Sequence, residues 1–520
     1  MKQVLFFAFF LSVLSLHSQE VRVKKVLLLN GGSFGNPADN ANVQLLDPVD
    51  LSLQSVDTIQ TGSVQDALID GTRAYVAAQD SIVLYDLISG DRIAATAFGA
   101  PSTIHMELSD NYLLVGNWYF PFNHVGPYLN NFRVFDRHSL TFIDSIPAIS
   151  LPAKDFVVVG NDVYITQNYP TPSFKDSAGY LIRLDLNSLS VVDTFEVNAN
   201  DEDLGRLVLL DSVLYGLNNA SNTITTVDLS TGMGTTDSAN ANIAAGAYGS
   251  LFSVDEEGIL YTIINGSLAS YDLINRAVIS ADLIDTVITA FAHDTLSDQF
   301  YITQTDYFSF SLGGVYDNQG NKIGAFSTGS SPEVAEVIYN VLPIAVNDYD
   351  TTGMAQQIKI AVRSNDADPD SPELPSIGMQ LLTPPTQGMA IPDVDYICYT
   401  PDVGFLGEDS LEYVVLDQWG DSASAWVYLH IRQVGAVDIS EELNLSLFPN
   451  PAYDKMQLYL EQAWSGNIEI LDLQGRVLFQ REVATSLMET FDVNQFPPSL
   501  YILRGSNEDE FWQKRFLIQR

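Results

Sequence analysis

The stretch Arg73-Ala74-Tyr75-Val76-Ala77-Ala78, Gln79-Asp80, Ser81-Ile82-Val83-Leu84-Tyr85-Asp86-Leu87 holds two short runs of apolar, β-branched and aromatic residues separated by a two-residue turn. Such runs are strand formers, and the break between them is hairpin chemistry. Outward from this pair, Asp66 to Ile69 and Arg92 to Phe98 have the same character, set off by Asp70-Gly71 and Ser89-Gly90-Asp91. The unit is a four-stranded antiparallel meander. Its third run ends on an apolar residue followed by Asp, Tyr85-Asp86. That mark recurs as Leu46-Asp47, Phe135-Asp136, Leu184-Asp185, Val227-Asp228, Tyr271-Asp272 and Tyr316-Asp317, at intervals of 39 to 50 residues. Periods of about 40 to 50 residues with four strands per unit belong to propeller blades, so seven marks predict seven blades. No sustained helical periodicity interrupts them, which predicts an all-β chain.

The first unit opens on Val26-Leu27-Leu28-Leu29, already a second strand, and so lacks an innermost one. Glu333-Val334-Ala335-Glu336-Val337-Ile338 can supply it from the far end of the array, closing the ring and removing the edges of an open sheet. The expected fold is a seven-bladed β-propeller over residues 20–341, followed by two small β-sandwich domains.

Leu29-Asn30-Gly31-Gly32-Ser33-Phe34-Gly35, Asn42-Val43-Gln44-Leu45-Leu46-Asp47, Tyr75-Val76 and Ser81 to Leu87 together resemble the YVTN-repeat, YncE-like propellers, in particular surface propellers of Bacteroidetes. Some members of that group are lipid-anchored corrinoid (cobalamin) binders, so the resemblance implies a binding role and makes a corrinoid one ligand among several. The residues themselves point to one face. The connection between second and third strands is short at Gln79-Asp80 but long from Asn30 to Asn42, Asn117 to Asn131, Gln167 to Gly179 and about Thr305 to Gly313. Alternating strand directions bring all of these to the same side of a disc, and long loops on a rigid scaffold are where binding concentrates. They carry Phe34, Trp118, Tyr119, His124, Tyr128, Tyr169, Phe174 and Tyr307 beside Asn and Asp, a mixture suited to a small molecule, a glycan or a protein partner.

From residue 342 to 433 the pattern changes. Pro343-Ile344-Ala345-Val346-Asn347-Asp348, Ser364-Asn365-Asp366-Ala367-Asp368-Pro369-Asp370 and Gly404-Phe405-Leu406-Gly407-Glu408-Asp409 resemble cadherin-like or immunoglobulin-like repeats of bacterial surface proteins, which usually space or present another domain. Calcium takes six to eight oxygens, and Asp348, Asp366, Asp368 and Asp370, with Asn365 and Asp417 nearby, offer such a set. A solvated Asx-rich turn explains the same residues.

The two ends read as addresses. Residues 1–19 have one lysine, an apolar run from Val4 to Leu16 and a short polar tail, which is signal-peptide composition. After a linker at 434–442, residues 443–520 carry Leu447-Phe448-Pro449-Asn450-Pro451, Leu471-Asp472-Leu473-Gln474-Gly475-Arg476, Ser499-Leu500-Tyr501-Ile502-Leu503-Arg504 and Lys514-Arg515-Phe516-Leu517-Ile518, which resemble the C-terminal sorting domain of the type IX secretion system. The resemblance implies that machinery as a partner, and a secreted or outer-surface destination with outer-membrane association.

Sixty-five acidic against 24 basic residues give a net charge of −41, which repels phosphate backbones and excludes a nucleic-acid partner. The single cysteine, Cys398, rules out an internal disulfide and reads as a small buried strand residue. Gly31-Gly32-Ser33-Phe34-Gly35 matches a nucleophile elbow by letter but is followed by turn chemistry rather than a helix. No catalytic residue is assigned and the expectation is a protein that is not an enzyme. The rival is a metal-assisted lactonase-like propeller using Glu107, Asp155, Asn168 and Asp255. A structural or adhesion protein is the third possibility.

Overall fold

The computed structural model describes residues 20–32, 39–79, 81–97, 103–117, 131–150, 153–170, 176–198, 204–218, 222–231, 233–241, 243, 251–306, 311–370, 379–433, 445–473, 475–507 and 511–519. Their regular structure is strand throughout, apart from one 3₁₀ turn at Val362–Ser364.

Seven four-stranded antiparallel sheets fill the first part. Sheet two has the strands expected from its sequence, Asp66–Asp70, Arg73–Ala78, Ser81–Asp86 and Arg92–Ala97. Sheets three to seven begin at Thr103–Leu108, Ala153–Val159, Leu204–Leu210, Phe252–Val254 and Ala290–Asp294. Sheet one combines chain regions more than 300 residues apart: Pro332–Val341 pairs antiparallel with Val21–Asn30, which continues to Ala41–Leu46 and Leu53–Ile59. First strands of neighbouring sheets pack side by side, Asp66–Asp70 on Thr103–Leu108 and Thr103–Leu108 on Ala153–Val159, while Pro332–Val341 touches the first strands of both sheet two and sheet seven. The closing strand therefore joins the last unit to the first.

Between sheets lie apolar layers. Leu27, Leu29, Val76, Tyr85, Val334 and Ile338 share one cluster, with Tyr85 fully buried and its hydroxyl donating to Asp57. The seven repeated Asp residues all do one job. Each carboxylate accepts backbone N–H groups of the turn that follows the third strand, such as Asp86 from Ile88 (2.8 Å) and Ser89 (2.9 Å), Asp136 from Ser139 (2.8 Å) and Asp272 from Asn275 (2.8 Å). This is the Asx-turn, which holds a tight connection without help from the rest of the fold.

Residues 348–432 form a sandwich. Asp348–Gly353, Ser422–Arg432, Gly407–Leu416 and Met379–Thr383 make one sheet, its first pair parallel, and Ile358–Ile360, Ile397–Pro401 and Gly388–Pro392 the other. Tyr399, Tyr413, Leu411, Val427 and Leu429 fill the space between. Cys398 departs from expectation: strand alternation turns Ile397 and Tyr399 inward, so the thiol side is only partly buried. In the sorting domain the expected second sandwich is built instead from one five-stranded sheet. Bulges between Tyr459 and Gly466 interrupt the pairing of its two long strands, Lys455–Leu471 and Val477–Asp492, and bulges bend a sheet enough for its halves to share one core around Trp464, Trp512 and Phe516.

Candidate functional site: inner strands and loop face

In three sheets side chains tie the second strand to the third where the connection emerges, and in sheets one and seven that connection is long. Asn30, at the end of its strand, donates from Nδ2 to Asn42 Oδ1 and Gln44 Oε1, both at 2.9 Å. Asn218 does the same in sheet five, to Thr223 (2.8 Å) and Thr225 (2.9 Å), and Ser311 donates to Thr305 (3.2 Å) in sheet seven. Each of these ties the last residue of a second strand to the start of the third. The loops themselves carry the expected binding residues. Phe34, Trp118, Tyr119, His124, Tyr128, Phe174 and Tyr307 lie outside the described residues, and Tyr169 lies in strand Asp162–Pro170 with its side chain outside them.

A polar belt runs along the inner strands, which sequence spacing did not reveal. His105 Nδ1 is 3.1 Å from Asp66 Oδ2 and its Nε2 is 3.0 Å from Asp155 Oδ1, with Glu107 at 3.9 Å. Arg206 reaches Asp155 at 3.7 Å. Four consecutive first strands are linked through these groups. The same carboxylates accept backbone N–H groups of the next sheet: Asp66 from Met106 and Asp155 from Leu207, each at 2.7 Å. Glu333 repeats the device at the ring's seam, accepting Val64 N–H (2.7 Å) and the Ser63 hydroxyl (2.9 Å), and burial raises its carboxyl above the usual glutamate range.

Two of the residues weighed for lactonase chemistry meet at one histidine. Glu107 and Asp155 flank His105, whereas Asp255 caps a turn by accepting Glu257 N–H (3.0 Å) and Ile259 N–H (2.9 Å). The Asn168 side chain lies outside the described residues.

The four aspartates proposed for calcium divide into two pairs. Asp348 and Asp366 share the hydroxyl of buried Tyr413 at 3.1 Å, with further donors from Asn365 and Val346 N–H, so their oxygens already have partners. Burial pushes Asp348 up to about 6. Asp368 and Asp370 face each other elsewhere, near Asp417. Both Asp368 oxygens are buried with no donor, and burial pushes this carboxyl up to about 7. Among the described residues no group of three or more His, Cys, Asp or Glu is arranged to hold a metal ion.

Comparison with known proteins matches residues 340–430 to the family described as bacterial Ig domain and residues 446–519 to the secretion system C-terminal sorting domain. The sorting domain makes this a protein addressed to the outside of the cell by the type IX system, with that machinery as a partner. No curated protein matches the chain. Among solved structures, it is similar to a quinonprotein alcohol dehydrogenase-like protein of Bacteroides thetaiotaomicron, at 16% identity over 61% of this chain and 78% of that one with a TM-score of 0.45. It is also similar to the computationally designed Ika8 protein, at 11% identity over 60% and 83% of the two chains with a TM-score of 0.36.

Proposed function

We propose that the seven sheets are the blades of a seven-bladed, YncE-like propeller, and that this exported protein binds a small molecule, glycan or protein partner through the loops on one face. The observation that supports the proposal is the pair of loop roots tied by side chains, Asn30–Asn42 and Thr305–Ser311, each where a second strand leads into a third. A scaffold that fixes the bases of long aromatic loops presents them with little ordering cost on binding. The inner-strand carboxylates argue for the same side: Asp66, Asp155 and Glu333 are occupied in fastening one sheet to the next, a structural task, rather than left poised for catalysis.

The test is a thermal-shift screen of the full chain against corrinoids, glycans and lactones, since a ligand at 100 times its Kd stabilises the fold by about 2.7 kcal/mol. A hit whose stabilisation is lost in Trp118→Ala, Tyr119→Ala and Tyr169→Ala supports the loop face. Unchanged binding by all three rejects it, and metal-dependent lactone turnover replaces the binding reading with the enzymatic one. Calcium belongs in the same screen. The donor-free oxygens of Asp368 fit a hard cation better than the saturated Asp348 and Asp366 do. Stabilisation by calcium that survives Asp368→Asn refutes that assignment.

A further inference from the structure

The turn between strands Gly407–Leu416 and Ser422–Arg432, residues 417–421, lies across the seam where the chain's first strand meets the strand that closes the ring. Asp421 Oδ2 is 2.5 Å from Lys24 Nζ and accepts a 2.7 Å hydrogen bond from Asn340 Nδ2, while its Oδ1 is 3.5 Å from Arg22. Arg22 and Asn340 are register partners across that seam, so one carboxylate holds both strands of the closing pair. Asp417 Oδ2 also accepts from Asn340 Nδ2, and Asp370 Oδ2 accepts Val341 N–H, each at 2.7 Å. At the tip of the turn, Trp419 packs against the buried cluster that includes Leu27, Leu29, Val76, Tyr85 and Val334.

These contacts differ from those of a spacer. A spacer needs few bonds across its boundary, whereas here the buried Asn340 and the largely buried Asp421 have their hydrogen-bonding partners on the opposite domain. Removing one partner of such a pair leaves a buried charge or amide uncompensated.

We infer that the 417–421 turn is a clasp on the ring's seam, through which the Ig-like domain and the seven sheets unfold as one cooperative unit. Calorimetry of the full chain should show a single shared transition for these two parts. Hydrogen exchange should give strands Val21–Asn30 and Ser422–Arg432 the same opening rate. In the Trp419→Ala, Asp421→Ala double variant the shared transition should split into two and the opening rates diverge. Asp395→Ala removes only an exposed pair with Arg363 on the same domain and should leave one transition. Where the double variant does not fold, Lys24→Met removes the ion pair from the other side, and the midpoint of the shared transition should fall. Two separate transitions in the parent, an unshifted double variant, or an unshifted Lys24→Met would each overturn the clasp.

Discussion

Replacing Glu333 by Ala should destabilise the ring by about 3 kcal/mol. Its carboxylate accepts Val64 N–H at 2.7 Å and the Ser63 hydroxyl at 2.9 Å, with Ser331 at 3.5 Å, and these contacts fasten the closing strand to the approach of sheet two. Hydrogen bonds to a charged group contribute about 1.5–3 kcal/mol each, and an orphaned Val64 N–H costs a further ~1–3. The burial cost of the carboxylate, recovered on truncation, brings the net back to about 3. For a unit of well over 300 residues, at about 2.1 cal/mol/K per residue, that corresponds to a fall in unfolding temperature of roughly 3–5 °C. Glu333→Gln keeps an oxygen for Val64 N–H and should lose only about 1 kcal/mol. The two variants also separate by pH. Burial holds the Glu333 carboxyl above its usual range, so the folded state favours the protonated form. The stability this contributes is complete below the unfolded pKa and is lost as pH rises through the folded one. The parent should show that decline in a calorimetric series, and the Gln variant should lack it. An Ala variant within about 0.5 kcal/mol of the parent, a typical surface effect, would refute the role given to this carboxylate.

Gly320 has φ +81°, and a Cβ there would stand 1.9 Å from the carbonyl oxygen of Leu283, so Gly320→Ala should cost on the order of 2 kcal/mol or more in urea unfolding. His293 is stacked on Phe300 (4.5 Å) and bonded to Asp298 (3.1 Å), with Tyr261, Ser253, Asp255 and Asp294 around it, and burial lowers its pKa below 6.5. A lowered pKa means that stability is present above about 6.5 and lost as pH falls below it, so His293→Phe should flatten the acid limb of the pH–stability curve; an unchanged limb counts against it.

The strands of the first part were legible because each is short, β-branched or aromatic, and stopped by its own turn. Tyr85-Asp86 illustrates this: Tyr85 enters the core and Asp86 closes the turn with its own side chain, so both signals are local. The His105 belt was not legible. Asp66, His105 and Asp155 stand 39 and 50 residues apart, and nothing in their immediate neighbours marks them as partners. Trp419 was hidden for a related reason. Asp417-Gln418-Trp419-Gly420-Asp421 reads as an ordinary turn, and only the assembled chain shows that Trp419 packs against another domain's core. The pairing of the calcium-type aspartates was likewise beyond spacing, because Tyr413, 47 residues from Asp366, decides which carboxylates are already satisfied.

The clasp sits at the Val21 and Val341 ends of the closing pair, while the Asn30 end of the same pair carries the first long loop. The Ig-like domain therefore grips the closing pair at one end and leaves the Asn30 end uncovered by that contact. Anything that retains the protein by its C-terminal side would hold these sheets by the end remote from Asn30, as a handle holds a mirror.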